Sequence, residues 1–498
     1  MAALATLFAP ASPRARRVTR VVVAGITAVL AWLYLRELGG DPAFPVDDAY
    51  ISLHNGSVFF RGSDDRFVGT PPLVGSTSAV HVVLSAIFQL VLSPVWAHWV
   101  VTMLGALAYA LALLRLAFVL RASVLEALWM LLAAMLVAQT PHTLMNGLET
   151  GFALAGVTWA LAAARDREGR AWELPVACGT LPFLRPELVA VSGLLMLIRV
   201  VRDYKAGGMR AALKSAGWFA LAAAPWALLL LITTGAPFPN TVEAKKNFFS
   251  EGCRPANERL HTLVATFRGF RESIGYFAYA GALLLLLTLT GWTGLLFTAV
   301  FGWAYYTRFP GALSHYEQRY MYVLLPFLFY GVATLFSLRR ALPRWIAAGL
   351  FGLCIVQAVP QVVPHWRFHL GCIWFTRVEL DGAAKWLQAN ARGRKILLHD
   401  AGYVGAFVDA RLADLVGLKT PDSIPDHRDL TWSTCGGGRG EAMRQIALRE
   451  QPDFLVVLGA WDRIFGISEA LRAQGWELTP RYEHEYIVFE VVRRPPHG

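Results

Sequence analysis

RARRVTRVVVAGITAVLAWLYLRELGGDPAFPVDDAYIS, residues 14–52, decides what kind of chain this is. Arg14, Arg16, Arg17 and Arg20 precede an apolar run over residues 21–35, and two adjacent acids, Asp47 and Asp48, follow about ten residues beyond it. The run resembles a secretory signal. Its exit, Leu33-Tyr34-Leu35-Arg36-Glu37-Leu38, is bulky and charged where a cleavage site carries small residues, so the segment is read as an uncleaved anchor. Arginines hold their end in the cytoplasm, which sets Asp47 and Asp48 on the opposite side.

Outward from this stretch the same texture continues. Of 498 residues, 55% are hydrophobic and only 16% charged, and runs of spanning length recur to about residue 363. The expected fold is a polytopic α-helical membrane protein with a C-terminal soluble α/β domain. Its membrane domain covers 1–370, with a first outer loop at 39–95 and a long outer loop at 234–275. The soluble domain covers 376–498, where charge and glycine rise. The net charge of +11 lies in short clusters beside apolar runs. Topology and lipid headgroups therefore account for it, and nucleic acid does not. Five scattered cysteines without CxxC spacing indicate neither a zinc site nor a disulfide framework.

Charge also orders the spans. An interfacial helix near 76–92, broken at Ser93-Pro94, followed by one span at 96–119, keeps Arg121 and the run Arg165-Asp166-Arg167 in the cytoplasm. Further spans are expected near 123–140, 147–164, 171–184, 186–201, 216–233, 275–290, 292–307, 318–337 and 343–363, about eleven in all. Arg339, Arg340 and Arg344 precede the last, so the tail is expected outside. The setting is a bacterial cytoplasmic membrane with a cytoplasmic N-terminus.

The out-of-place polar groups then gather at the outer surface. Asp47 and Asp48 are candidates for a general base, one facing a pocket while the other organises the loop. Asp64 and Asp65, beside Arg61 and Arg66, read as a solvated turn. Ser76, Thr77 and Ser78 are placed to cap the interfacial helix. Glu149 opens a helix and either complements its dipole or takes part in chemistry. Arg185-Pro186-Glu187 is either a structural pair or a phosphate contact. Pro239-Asn240-Thr241 opens the long outer loop, read as a lid without elements of its own, in which Lys245 and Lys246 are candidates for lipid phosphate. His315-Tyr316-Glu317-Gln318-Arg319-Tyr320 opens another span, with Arg319 the functional candidate.

Five of these motifs occur in order: Asp47-Asp48-Ala49-Tyr50-Ile51-Ser52, Gly147-Leu148-Glu149-Thr150, Arg185-Pro186-Glu187, Pro239-Asn240-Thr241 with Ala244-Lys245, and Arg319-Tyr320. Together they resemble the polytopic glycosyltransferases of the GT-C superfamily, specifically the terminal arabinofuranosyltransferase-like group. The resemblance implies a polyprenyl-phosphate sugar donor and inverting transfer to a hydroxyl of an envelope glycan, lipid or protein acceptor. It implies Asp47 or Asp48 as base, Asp47 preferred. Lys245, Lys246, Arg185 and Arg319 would hold the donor phosphate, and Tyr50, Glu149, Glu187, Asn240 and His315 would bind substrate. A divalent metal is optional and none is assigned ligands. A lipid-linked saccharide flippase or carrier, or an inactive glycan-binding membrane protein, is the competing class.

The tail alternates strand and helix: helix 378–390, strands 395–399 and 411–416, helix 441–450, strand 453–459, helix 468–474 and a closing strand pair. Asp400-x-Gly402-x-x-Gly405 reads as a tight turn entering a helix, with sugar or acceptor binding as the functional alternative. Thr420 to Gly440 reads as a mobile surface loop.

Overall fold

Pro13–Glu37 is a 25-residue helix started by Ser12, whose hydroxyl accepts from the Ala15 amide. It belongs to a computed structural model that describes residues 9–166, 168–338 and 340–493. Arg167 and Arg339, used above for topology, lie outside the described residues, as does the tail beyond residue 493. Asp47 and Asp48 are neither strand nor loop. They form the first turn of the helix Asp47–Val58, where carboxylates complement the N-terminal dipole.

The helix expected near 76–92 is Ala79–Phe88, capped by Ser78, whose Oγ accepts from His81 N at 3.2 Å. Ten residues rise about 15 Å, too little to cross a bilayer. Pro94 then opens a 26-residue helix, Pro94–Val119, long and apolar enough to span. It packs on Thr150–Arg165 at backbone distance, since a Cβ at Gly151 would lie 2.9 Å from Ala106 N. Close approach through small residues drives helix association where lipid removes the hydrophobic incentive.

Among the described residues four helices are long and apolar enough to cross a membrane, or up to six if each bent pair is one span. That is fewer than the expected eleven, and the difference is physical. Val124–Leu136 and Glu173–Leu184 have 13 and 12 residues, short of a crossing. The helical run Val189–Thr234 breaks at Gly208 with φ +68° into two arms, which hold the expected spans at 186–201 and 216–233. Ser215 Oγ donates to Asp203 Oδ2 at 2.5 Å. Twelve residues of straight helix would separate those groups by about 18 Å, so the chain reverses at Gly208. Phe277–Leu285 and Leu289–Arg308 meet at 118°, and Pro310–Gln318 and Met321–Ser337 at 90°.

The long outer segment has elements of its own, contrary to the expectation of a bare loop. Thr241–Phe249 and Ala256–Ile274 are helices, the first burying Ala244, Asn247 and Phe248. At the other end, Ala341–Phe375 continues through a wide π turn, Thr376–Leu380, into Asp381–Asn390. The expected boundary near 370–376 thus falls inside continuous helix. Composition changes there, and the helical backbone carries on regardless.

Five strands follow: β1 Lys395–Leu398, β2 Arg411–Asp414, β3 Phe454–Leu458, β4 Trp476–Glu483 and β5 Tyr486–Arg493. Their order is β2-β1-β3-β5-β4, with β1 parallel to β2 and β3, and β5 antiparallel to β3 and β4. Within the stretch from Thr420 to Gly440, expected as a surface loop, Ser423–Asp426 and His427–Trp432 are helical turns that bury Ser423, His427 and Thr431, and residues 433–438 are turns. His427 donates or accepts through both ring nitrogens, to Thr431 Oγ1 and Leu415 O, each at 2.8 Å.

Candidate active site

The C-terminal domain docks onto the acid pair. Asp47 Oδ2 accepts from Gly402 N at 2.8 Å and Oδ1 from Tyr403 N at 2.7 Å, so a side chain of the first outer helix caps the helix Tyr403–Phe407. A Cβ at Gly402 would collide with the main-chain oxygen of Asp47, which is why glycine stands there. Burial, together with the charges of Asp400 and Asp48, pushes the Asp47 carboxyl up to about 8, against the pull of the two amides. Gly402→Ala is expected to cost about 1–3 kcal/mol by overpacking. A drop in thermal midpoint, with faster protease cleavage near the π turn, would report the loosened docking.

Asp48 faces the other way, into cations. Arg319 Nη2 donates to its Oδ2 at 2.5 Å and Lys245 Nζ at 3.3 Å. Burial acts to raise Asp48, but Lys245 and Arg319 outweigh it and hold the carboxyl well below the usual range. Arg319 is delivered by a bent turn in which Tyr316, Glu317 and Gln318 have φ of 43°, 52° and 63°. Three consecutive left-handed non-glycine residues are strained, and such strain gathers at functional sites. Arg185 sits behind, donating from Nε to Glu187 Oε1 at 2.7 Å, with Nη1 at 3.6 Å from Glu149 Oε1. Tyr320 lies between the two guanidinium groups, its ring 4.9 Å from Arg185 and 5.0 Å from Arg319. Nε and Nη1 of Arg319 and Nη2 of Arg185 are buried with no hydrogen-bond partner among the described residues.

Two cavities meet at this cluster. A small one of about 20 Å³, room for a water-sized group, touches Asp48, Glu149, Arg185, Lys245, Arg319 and Tyr320. The larger, about 460 Å³, touches Asp47, Asp48, Lys245, His315 and Arg319 on the membrane side and the sheet domain opposite.

Other sequence candidates lie elsewhere. Lys246 is not at the cluster: it pairs with Glu243 at 3.1 Å and lies over the Trp432 ring. One residue along a helix turns a side chain by about 100° from its neighbour. Tyr50 is a core residue. It is 2% exposed, accepts from Phe44 N at 3.1 Å and packs its ring on Tyr403 at 4.7 Å. Asn240 is a strut with both ends used, accepting from Gly75 N and donating to Gly417 O and Leu418 O. Glu187 acts on Arg185 and lines neither cavity. Sequence reading missed the bracing role of Tyr320; Asp400, in the turn for which sugar or acceptor binding is the functional alternative, lines the larger cavity together with His399.

Asp64, read as solvated, is buried. Its carboxylate contacts His54 Nε2 at 2.9 Å and Lys419 Nζ at 3.0 Å and accepts from Arg66 N and Phe67 N. His54, Asp64 and Asp65 lie close enough to hold a cation. They do not fit one, because the buried Lys419 ammonium already occupies the carboxylate.

Bent apolar helices with an acid pair and cations at one edge are closed over by a small sheet domain. The structure is similar to that of ArnT from Cupriavidus metallidurans bound to undecaprenyl phosphate, with a TM-score of 0.53 at 12% identity over 94% of this chain and 97% of that one. The archaeal oligosaccharyltransferase AglB from Archaeoglobus fulgidus, in complex with an inhibitory peptide and a dolichol-phosphate, gives 0.48 at 10% identity over 96% and 75%. At 12% identity the likeness to the former is one of fold. Residues 373–494 match a family described as a domain of unknown function, DUF8728. No curated protein matches the chain. The narrower likeness to the terminal arabinofuranosyltransferase group rests on the sequence motifs alone.

Proposed function

We propose that this protein is a membrane glycosyltransferase. It moves a sugar from a polyprenyl-phosphate donor to a hydroxyl of an envelope glycan, lipid or protein, on the outer face of the cytoplasmic membrane and with inversion. The observation that carries this reading is the set of buried, unpartnered guanidinium N–H groups on Arg319 and Arg185 beside an acid pair. A buried donor left unsatisfied costs about 1–3 kcal/mol, and a phosphate is the bidentate partner that would satisfy it.

In this reading Arg319, Lys245 and Arg185 hold the donor phosphate, while Asp48 keeps the cations gathered when no donor is bound. Asp47 takes the proton of the acceptor hydroxyl as that oxygen bonds to the anomeric carbon. The carbon–oxygen bond to phosphate breaks, and polyprenyl phosphate leaves as an anion stabilised by the same cations. One displacement inverts the centre. The chain in lipid nanodiscs, given labelled polyprenyl-phosphate sugars and delipidated envelope, should release polyprenyl phosphate and label the envelope in step. Donors that bind yet stay intact across the sugar panel would remove the reading.

A further inference from the structure

The sheet domain is oriented in a way that the transfer chemistry alone does not require. Its three parallel strands all end at the larger cavity. His399 and Asp400 follow β1, Val416 and Leu418 follow β2, and Leu458 and Trp461 close and follow β3, and all six line that cavity. From β1 the chain leaves to one side for β2, then returns to β3 on the other side. The gap between the ends of β1 and β3 is therefore a topological switch point, the place where open α/β sheets bind ligands.

The gap carries the chemistry of a binding site. His399 is 5% exposed, its Nδ1 lies 3.1 Å from Asp400 Oδ1, and its Nε2 is buried without a partner among the described residues. Asp400 is fixed in turn by the Tyr486 hydroxyl, which donates to Oδ2 at 2.8 Å. Trp461 stands at the other lip, half-buried, its ring 5.8 Å from His399, 5.5 Å from Phe465 and 6.1 Å from His315, the latter two nearly parallel to it. A flat indole beside an oriented imidazole and a carboxylate suits a ring with apolar C–H faces and hydroxyl edges. A peptide would require main-chain partners, and an acyl chain would leave the polar pair unsatisfied.

We infer that this switch-point gap is the acceptor subsite and that the acceptor is a saccharide, its ring stacked on Trp461 and one hydroxyl bonded to His399 Nε2. The inference rests on the glycosyltransferase reading for the word acceptor. The subsite itself is a binding claim that needs no catalysis. Asp47, whose carboxylate is held by the amide of Gly402 two residues after Asp400, lines the same cavity as His399 and Trp461. The cavity of about 460 Å³ lies within the range of small-ligand sites, about 300–1,000 Å³.

Saturation-transfer NMR on the detergent-solubilised full chain tests this, using oligosaccharides from mild acid hydrolysis of delipidated envelope polysaccharide. Ring C–H protons should receive saturation. Trp461→Ala should weaken binding about tenfold or more, with Trp461→Phe retaining most of it. His399→Ala, which leaves the indole in place, should also weaken binding and decides the matter if Trp461→Ala fails to fold. Unchanged affinity in folded Trp461→Ala or His399→Ala, or displacement of the sugars by a short peptide or an acyl lipid, overturns the inference. Sugar binding that depends on Trp461 without release of polyprenyl phosphate would sink the enzyme reading and leave the subsite standing. Transfer whose acceptor KM ignores Trp461 and His399 would do the reverse.

Discussion

Asp47→Asn should lower transfer about 100- to 10,000-fold while donor binding persists, the range that a positioned general base contributes. Asp48→Asn should instead loosen the donor, because it frees Lys245 and Arg319 from the carboxylate that gathers them. The two acids differ because their surroundings do: amides and a like charge for one, two cations for the other. Asn at 47 has an NH₂ facing one of the two amides, so it also weakens docking. Thermal unfolding is followed beside the rate to separate the effects. The pH profile gives an independent sign. A base must be ionised, and with its carboxyl pushed up to about 8, Asp47 gains activity as pH rises toward that value. Asp400→Asn removes a neighbouring negative charge, lowers the Asp47 pKa and should move the rising limb of kcat/KM to lower pH. A limb that stays in place, or moves upward, would contradict the assignment.

Lys419→Met should destabilise the chain by about 3–5 kcal/mol, the typical cost of removing one member of a buried ion pair. Lys419 is fully buried between Asp64 and Asn55, 3.0 Å from one and 2.6 Å from the other, and so joins the sheet domain to the first outer helix. Without it the Asp64 carboxylate keeps His54 and two amides but loses its fixed counter-charge. Adding Asp64→Asn to Lys419→Met should recover part of the loss, which a double-mutant cycle of thermal unfolding would read. Burial opposes ionisation of Asp64, yet the His54 bond and Lys419 prevail and depress its pKa in the folded state. The stabilisation is therefore complete above the unfolded value of about 4 and is lost as pH falls through the lower folded value.

How much of this could be read from the chain depends on how local the cause is. Ser78 as a cap, Pro94 as a break and the alternation of strand and helix along the tail each follow from a few neighbouring residues, and they stand as expected. The acid pair was conspicuous because charge beyond an apolar run is costly. Asp64 was misread because the lysine that makes it a core residue lies 355 positions away. Asn240 looked like a ligand contact and is a strut for the same reason: its partners are Gly75, Gly417 and Leu418. Lys245 and Lys246 cannot be told apart by composition. Helical phase separates them, turning one to Asp48 and the other to Glu243.

The run of helix from Ala341 to Asn390 has a mechanical side. A flexible tether would insulate the sheet from its anchor, whereas continuous helix, even with Pro360 and Pro364 inside it, couples the two. Phe375, Thr376 and Leu380 at the π turn are themselves walls of the larger cavity. In a membrane, bilayer thickness would set the lean of that helix and so reach the walls of this gap.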